Sequence, residues 1–321
     1  MAQNVQFLTV SEDEAGQRLD NYLLARLKGV PKSLIYRVIR KGEVRVNKGR
    51  AKPERKLAGG DVVRVPPVRV AESPEPVPIS KTLKGVLDNA VIADEPGYLV
   101  VNKPAGLAVH GGSGVTLGLI EALRQAFPQY SYLELVHRLD RDTSGCILVA
   151  KKRSMLRYLQ ELFRGEKRIH KRYLALVIGR WPSRRNLVDA PLLRKELQSG
   201  ERIVRVSLDG KPSKTEFNVV QRFGESATLV EARPITGRTH QIRVHAQHQG
   251  HPLVGDPKYG NEVFDLSVKK LGVNRLFLHA AGLSFKNADG EQVNIEVPLP
   301  AELQSVVAAF DGHFNQAGSV E

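Results

Sequence analysis

The sequence predicts an α+β protein in which a small N-terminal module precedes a larger domain built on a mixed, largely antiparallel sheet with flanking helices. The chain has 321 residues, a length that suits about two domains. Five prolines fall within residues 66–78, which is typical of a semi-rigid extended linker. Beyond that linker, strand-like segments at 215–223 and 227–233 follow one another without an intervening helix. This order favours antiparallel pairing over a doubly wound parallel sheet.

The composition excludes several classes of protein. Apolar residues make up 41% of the chain and charged residues 26%, as in ordinary globular proteins and unlike disordered or fibrous chains. No stretch approaches the roughly 20 consecutive apolar residues that span a bilayer, and the N-terminus lacks the basic-then-apolar pattern of a secretory signal. The one cysteine, Cys146, forms neither an internal disulfide nor a cysteine zinc cluster. We therefore expect a cytoplasmic protein that makes no membrane contact.

Positive charge is concentrated in two segments. The formal net charge is +14, of which residues 26–56 contribute +10 and residues 151–172 contribute +7, so the remainder is slightly acidic. Such clusters suit a polyanionic partner, because each phosphate that a protein neutralises releases counterions. A solvated helical face would explain either cluster alone. Charge by itself does not distinguish RNA from DNA or from a membrane surface.

The N-terminal module is assigned residues 16–79, including the linker at its end. Leucines at four-residue spacing predict a helix over 18–28. A second helix is expected over 32–41, where an apolar stripe is backed by basic residues. Alternating valines then predict short strands at 44–47 and 62–65.

The larger domain is assigned residues 80–312, with residues 1–15 as an N-terminal segment and residues 313–321 as a loose acidic tail. Short apolar runs indicate strands, and apolar residues at helical spacing indicate helices. The strands are expected at 98–102, 146–150 and 173–178, and the helices at 116–127, 154–164 and 239–249.

The segment 137–145, HRLDRDTSG, is the richest in reactive groups. One interpretation is a solvated loop whose Asp, Ser and Thr side chains cap backbone groups. A calcium loop starting at Asp140 would need a glutamate at its twelfth position, where Lys151 stands. An Asp-x-Asp phosphohydrolase would use Asp140 as nucleophile and Asp142 as acid. That hypothesis stays as an alternative, although His and Arg interrupt the apolar run that should precede the first Asp.

Three motifs of the module resemble the S4 RNA-binding domain. They are GQRLDNYL, SLIYRVIRKGEVRVN and KPERKLAGGDVVRV, which together cover most of residues 16–65. The resemblance implies that a basic helix face and the adjoining loop follow the backbone of folded RNA through shape and phosphate contacts.

The larger domain resembles the RluA-type pseudouridine synthases. HRLDRDTSG is similar to the signature of that family, and the resemblance extends over residues 92–300 with further blocks in the family's order. The further blocks are LVVNKPAGLAVHGG, KRYLALVIG, PITGRTHQIRVHAQHQGHPLVGDPKYG and RLFLHAAGLSF. The chain as a whole is thus expected to be an S4 domain followed by a pseudouridine synthase catalytic domain.

This second resemblance implies that the protein isomerises uridine in RNA to pseudouridine. The N1–C1′ bond breaks, the base turns, and C5 bonds to C1′. The resemblance assigns Asp140 as the catalytic nucleophile, a role that suits a carboxylate able to add and leave again. It assigns Arg243 as the partner that keeps this carboxylate ionised, and Tyr173 and Arg138 as further substrate-binding residues. The reaction is redox-neutral and uses no net water, so neither a cofactor nor a metal is implied.

The partner implied by the two resemblances is 23S ribosomal RNA or a pre-ribosomal large-subunit particle, with no DNA, bound by a monomer. A non-catalytic RNA-binding factor for ribosome assembly, using the same surfaces, stays as an alternative. The residues expected to contact RNA are Arg37, Arg40, Lys41, Arg45 and Lys48 in the module and Lys151, Lys152 and Arg153 in the larger domain.

Overall fold

The computed structural model describes residues 4–27, 29–68, 78–111, 117–165, 169–183, 186–196 and 202–315. The chain divides into two compact units. The N-terminal unit comprises Met1–Pro78 with Lys152–Ser154, and the C-terminal unit comprises Ile79–Lys151 and Met155–Glu321. Most of the predicted linker falls outside the described ranges. Among the helices that these ranges contain, none combines the length and the apolar character needed to cross a membrane.

The N-terminal unit packs two helices against a four-stranded antiparallel sheet. Its elements are β1 (Gln6–Thr9), α1 (Leu19–Arg26), α2 (Lys32–Arg40), β2 (Arg45–Val46), β3 (Gly49–Arg50) and β4 (Val62–Val65), and the strand order is β1-β4-β2-β3. Both predicted helices and the strand at 62–65 are confirmed. The core joins the apolar helix stripes to the inner face of the sheet and includes Leu19, Leu23, Ile35, Val38, Val46 and Val63.

The hairpin between β2 and β3 differs from the expected strand at 44–47. Its turn residues are Asn47 and Lys48, with φ of +50° and +68°, as in the two-residue turns that follow the twist of antiparallel strands. The amide of Asn47 holds the turn, because its Nδ2 donates to Asp61 and its Oδ1 accepts from the Val62 amide. Lys48 is therefore presented at the tip of a fixed turn.

The C-terminal unit is built on a ten-stranded sheet. Its strands are β5 (Val91–Asp94), β6 (Tyr98–Lys103), β7 (Glu134–Leu135), β8 (Ser144–Ala150), β9 (Ile169–Ile178), β10 (Leu187–Asp189), β13 (Lys214–Phe223), β14 (Ala227–Pro234), β15 (Leu278–Lys286) and β16 (Gln292–Glu296). The strand order is β10-β13-β14-β9-β15-β8-β6-β5, with β16 beside β15 and β7 beside β8. In the described part of the sheet, β8 and β15 pair in parallel and the other pairs are antiparallel. The predicted mixed, largely antiparallel sheet is confirmed. A separate hairpin joins β11 (Leu192–Glu196) to β12 (Arg202–Val206).

Further helices flank this sheet. They are α3 (Lys81–Ala90), α4 (Leu119–Ala126), α5 (Arg153–Arg164), α6 (Gln241–His248), α7 (Glu262–Ser267) and α8 (Ala301–Phe314). Helix α6 begins later than predicted, because His240 has a φ of +53°, which no α-helix accommodates. Helix α8 continues through Phe314, so the first two residues of the predicted tail at 313–321 are helical, and residues 316–321 lie outside the described ranges.

Strand β8 fixes the start of the candidate active site. All seven of its residues are buried, and its first residue, Ser144, lies opposite His279 of β15. Gly145 has a φ of +109°, and a Cβ at this position would collide with the backbone of Ala280. The close approach of β8 and β15 therefore requires glycine here, and the loop at 137–143 enters the sheet at a fixed point.

Candidate active site

Asp140 lies in a cleft between the loop at 137–143, strand β9 and the start of helix α6. A cavity of about 440 Å³ is lined by Arg138, Asp140, Tyr173 and Arg243, among others. A second cavity, of about 590 Å³, adjoins it and shares Arg138, Asp140 and Arg243. The structure thus brings together the four residues that the sequence assigned to catalysis and substrate binding, and the Asp140 side chain is 26% exposed.

Arg243 connects Asp140 to a second, fully buried carboxylate. Its Nη1 lies 3.4 Å from Asp140 Oδ2, and its side chain is 6% exposed. Its Nε and Nη2 each donate to Asp256 at 2.7 Å. Burial lowers the pKa of the Arg243 guanidinium, but the hydrogen bonds and charge of Asp256, together with Asp140, outweigh burial and raise it. A permanent positive charge therefore lies within ion-pair distance of the Asp140 carboxylate.

Asp256 holds the guanidinium in place. Its side chain is completely buried, and its Oδ1 also accepts from the backbone amides of Lys258 and Tyr259 at 2.9 and 3.1 Å. Burial raises the pKa of Asp256, but Arg243 and these amides reverse the effect and leave it lowered. No sequence pattern indicated a role for Asp256. A buried arginine needs a carboxylate partner. A search for an acidic residue to pair with Arg243 could therefore have pointed to Asp256.

His240 forms the other wall beside Asp140. Its Nε2 lies 3.8 Å from Asp140 Oδ2, and its Nδ1 lies 2.8 Å from the hydroxyl of Tyr259. That hydroxyl accepts from the backbone amide of Val204, so its own proton is free to be donated to Nδ1. With the Tyr259 hydroxyl as donor to Nδ1, the neutral imidazole carries its proton on Nε2, on the side of Asp140. Burial is the main cause that lowers the pKa of His240, which favours this neutral form.

Replacing Tyr259 with phenylalanine tests this tautomer. The ring stays, and with it the contact with the Arg243 guanidinium at 5.0 Å from the ring centroid, but Nδ1 of His240 loses its donor. We expect turnover to fall about five- to tenfold, the size of one hydrogen bond of about 1 kcal/mol, with KM little changed. Tyr158→Phe, which removes a hydroxyl bonded to the Lys286 carbonyl, is the matched control. Full turnover by Tyr259→Phe would contradict the role of its hydroxyl.

Tyr173 lies on β9 and lines the cavity beside Asp140. Its neighbours across the sheet are Ala280 of β15 and Ala232 of β14, so small side chains flank the ring. Burial, with a smaller contribution from the charge of Asp140, raises the pKa of Tyr173. The side chain is therefore a neutral phenol that offers a flat apolar face to the cavity. Arg138 is exposed and lines both cavities, at the mouth of the cleft.

Lys103 ties the loop at 137–143 to the end of β6. Its side chain is completely buried, and Nζ donates to the carbonyls of Pro104, Leu107 and Arg141 at 2.8 to 2.9 Å. Burial lowers the pKa of Lys103 to about 8, so the ammonium is charged at neutral pH and uses all three donors. The carbonyl of Arg141, the residue that follows Asp140, is thereby anchored.

Two neutral histidines also support this loop. His137 Nε2 accepts from the Leu148 amide, and its ring stacks on Phe163 with centroids 4.4 Å apart. His279 Nδ1 lies 2.9 Å from the Ser144 hydroxyl. Burial lowers the pKa of His137 to about 3 and that of His279 to about 4. Neither ring is charged at neutral pH, and each holds one residue of β8.

The carboxylate of Asp142 has a different partner from that of Asp140. It pairs with its neighbour Arg141 at 3.0 Å and lines only the second of the two cavities. Within the described ranges, no three His, Cys, Asp or Glu side chains are grouped so that they could hold a metal ion. The geometry gives no support to the Asp-x-Asp phosphohydrolase.

The basic residues expected to contact RNA are placed unequally. In the N-terminal unit, Arg37, Arg40, Lys41, Arg45 and Lys48 are exposed. Lys152 is also exposed and Arg153 is partly exposed. Lys151 differs, because its Nζ pairs with Asp94 at 2.5 Å and donates to the Glu95 carbonyl, and its side chain is 15% exposed. It lies 4.8 Å from the Tyr130 ring centroid. The charge of Lys151 is thus paired with Asp94 within the fold.

Comparisons with known proteins agree with both parts of the fold. The profile of the RNA pseudouridylate synthase family matches residues 97–248, and that of the S4 domain matches residues 17–63. The chain is 59% identical over 311 residues to the ribosomal large subunit pseudouridine synthase C of Pasteurella multocida (strain Pm70), covering 96% of this chain and 94% of that one. It is 56% identical over 306 residues to the protein of the same name in Escherichia coli (strain K12), covering 94% and 95%.

A solved structure gives the same result. Human RNA pseudouridylate synthase domain containing 4 superposes with a TM-score of 0.59 at 28% identity, covering 71% of this chain and 95% of that one. The resemblances noted in the sequence to both families are confirmed. The chain belongs to the RNA pseudouridylate synthase family, and it is a pseudouridine synthase with an N-terminal S4 domain.

Proposed function

We propose that this protein isomerises uridines of 23S ribosomal RNA to pseudouridine, with Asp140 as the nucleophile that acts on a flipped-out uridine. The observation that carries the proposal is the Arg243 guanidinium, which is held by Asp256 and reaches Asp140 in a cavity lined by Tyr173. Support for the large ribosomal subunit as the source of the RNA comes from the names of the relatives.

In this mechanism Asp140 opens the reaction and is restored at its end. In attack at C1′, a bond from the Asp140 carboxylate to C1′ forms as the N1–C1′ bond breaks, and the freed uracil turns so that C5 faces C1′. When C5 bonds to C1′, the bond to Asp140 breaks, C5 loses its proton and N1 gains one, so the atoms balance without water or an oxidant. The Arg243 charge stabilises the carboxylate as it leaves. The same geometry serves attack at C1′, addition at C6 and proton removal towards a glycal.

The uracil would be held by side chains around Asp140 during its turn. Flipped bases are commonly sandwiched by aromatic or apolar groups, and Tyr173 supplies an aromatic face, with Leu139 and Ile242 in the same lining. Arg138, at the mouth of the cleft, is suited to fill the place that the flipped base leaves in the RNA. His240 would present its Nε2 proton next to the reacting carboxylate.

The N-terminal unit would bind the same RNA outside the catalytic cleft. The domains are proposed as an S4 domain over 16–79 and a catalytic domain over 80–312. The exposed cations Arg37, Arg40 and Lys41 at the end of α2 are suited to contact phosphates. We further propose that the protein works as a monomer in the cytoplasm, on 23S RNA or on a pre-ribosomal large-subunit particle.

Mapping of pseudouridines in 23S RNA tests this function. In cells that lack the protein, pseudouridine should disappear from one or more positions of 23S RNA. Re-expression of the wild-type chain or of Asp142→Asn should restore it, whereas Asp140→Asn should not. An unchanged map in the deletion strain would contradict the proposal, and it would favour the non-catalytic assembly factor.

A further inference from the structure

Strand β1 adds to the N-terminal unit a feature that lies outside the residues matched by the S4 profile. It pairs with β4 at the edge of the sheet, where Phe7 is opposite Arg64. Arg64 is in turn opposite Arg45 of β2, and Arg45 is opposite Arg50 of β3. Four neighbouring strands therefore carry one aromatic and three arginine residues side by side, in a row that we call the outer row.

The outer row faces away from the core of the unit. Successive residues of a strand point to opposite faces, and the alternating residues Leu8, Val46 and Val63 pack in the core. Phe7 is accordingly 67% exposed. Val62, 38% exposed, lines the same cavity as Phe7, so apolar surface lies beside these arginines.

Backbone carbonyls hold two of the three arginines of the outer row in place. Arg64 Nη1 donates to the Glu43 carbonyl at 2.7 Å. Arg45 reaches the carbonyls of Gly42 and Lys48, each at 3.4 Å. Since carbonyl contacts leave the positive charge of a guanidinium unneutralised, these side chains are ordered and still able to pair with an anion.

A cavity of about 880 Å³ lies on this face. Phe7 and Val62 supply its apolar part. Its charged lining consists of Lys41, Arg45, Lys48, Arg50 and Arg64 against Glu43 alone, which is a net charge of +4. A flat apolar ring at the edge of a strongly positive concavity matches the two parts of a nucleotide, a base with a π face and a phosphate.

We propose that the outer row is a binding site for an unpaired nucleotide of the substrate RNA, whose base stacks on Phe7 while its phosphates lie along Arg64, Arg45 and Arg50. The inference rests on the proposed function to the extent that the N-terminal unit binds ribosomal RNA. The nucleotide must be unpaired, because bases inside an A-form helix do not offer a free face, whereas splayed bases stack on aromatic side chains. An apolar protein partner fits less well, since it would bury five cations against one acid.

The test compares Phe7→Ala with the full-length wild-type chain. Binding is measured with single-stranded oligouridylate and with a duplex RNA of the same length, over a series of salt concentrations. We expect about a tenfold or larger loss of affinity for the single strand, a much smaller loss for the duplex, and an unchanged slope of log affinity against log salt, because stacking releases no counterions. Arg64→Ala should instead reduce that slope by about 1. Val220→Ala, at a side chain 54% exposed on β13, should change neither affinity.

A second variant keeps the proposal falsifiable if the alanine chain binds RNA poorly for another reason. Phe7→Trp should retain the affinity for the single strand, and its added indole fluorescence should be quenched when RNA binds. Equal losses for single strand and duplex, an unchanged affinity of Phe7→Ala, or an unquenched indole would each overturn the proposal. Absence of turnover in the wild type would instead contradict the proposed function, so the two failures are distinguishable.

Discussion

Replacing Asp140 with asparagine should abolish pseudouridine formation while the fold and the RNA affinity persist. Asparagine has the same size as Asp140 but offers no carboxylate, and loss of a covalent nucleophile lowers turnover by about four orders of magnitude or more. Because the side chain is partly exposed and lies 3.4 Å from Arg243, its replacement leaves the packing of the cleft intact. The measurement is pseudouridine formed at saturating RNA, together with RNA affinity and thermal unfolding.

Asp142→Asn is the matched control for this variant. Asp142 lies two positions along the same loop but pairs with the exposed side chain of Arg141, so its loss should leave turnover near the wild-type value. Normal turnover by Asp140→Asn would remove Asp140 as the nucleophile. An equal loss in both variants would mean that the effect comes from the loop and not from one carboxylate.

Replacing Asp256 with alanine should lower the free energy of unfolding more than replacing Asp140, Asp142, Tyr259 or Asp88. Arg243 would remain buried without its bidentate partner, and two backbone amides would lose their acceptor. Removing one member of a buried ion pair lowers the free energy of unfolding by about 3–5 kcal/mol. Turnover should fall as well, since the guanidinium would no longer be held towards Asp140. Urea unfolding gives the first quantity, and an assay at a temperature where the variant is folded gives the second.

An exposed ion pair of the same unit provides the control. Lys84 and Asp88 pair at 2.9 Å one helical turn apart, and both are about half exposed. Asp88→Ala should therefore lower the free energy of unfolding by no more than about 0.5 kcal/mol. If Asp256→Ala were as mild as Asp88→Ala, Asp256 would not be the residue that holds Arg243.

The pH dependence of stability separates Asp256 from His137 and His279. The pKa of Asp256 is lowered in the folded state, so its stabilisation is present above its usual pKa and is lost as pH falls through the folded value. His137 and His279 have pKa values of about 3 and 4 when folded, against 6.5 when free. Below about pH 6.5 the unfolded chain takes up protons at both rings, and stability falls. Asp256→Ala should therefore keep the loss that begins near pH 6.5 and show a smaller further loss below about pH 4, where Asp20, Asp61 and Asp94, whose pKa values are also lowered, still contribute.

Local pattern was sufficient to predict much of the fold. The helices over 18–28 and 32–41 follow from leucine and isoleucine spacing, because one apolar face of each helix packs on a sheet. The antiparallel strands at 215–223 and 227–233 follow from their direct succession. Strand β1 could not be found in this way, because its four residues form a strand only by pairing with β4, whose residues lie some 55 positions further along the chain.

The candidate site was predictable only in part. Asp140, Arg243, Tyr173 and Arg138 were assigned from the family resemblance, and the structure brings them to one cleft. The partners of these residues depend on tertiary structure. Asp256 reaches Arg243 from a loop in which the backbone amides of Lys258 and Tyr259 donate to the Asp256 carboxylate. No periodicity in the sequence predicts such a turn.

His240 and Lys151 show the same limit in two directions. His240 itself has a left-handed backbone conformation and precedes α6, which brings its side chain close to Asp140. Helical spacing alone had placed this residue inside the helix. Lys151 was expected to contact RNA because it lies in a basic segment, yet Asp94 on β5 and the Glu95 carbonyl bind its ammonium. Charge counted along the chain does not reveal which cations the fold uses internally.

Release of tritium from 23S RNA labelled at C5 of uridine tests the central claim most directly. The C5 hydrogen is lost only when C5 bonds to C1′, so tritium in water reports the isomerisation itself. The purified wild-type protein should release tritium from 23S RNA in amounts equal to the pseudouridine formed, and Asp140→Asn should release none. A folded wild-type protein that binds 23S RNA and releases no tritium would contradict the account.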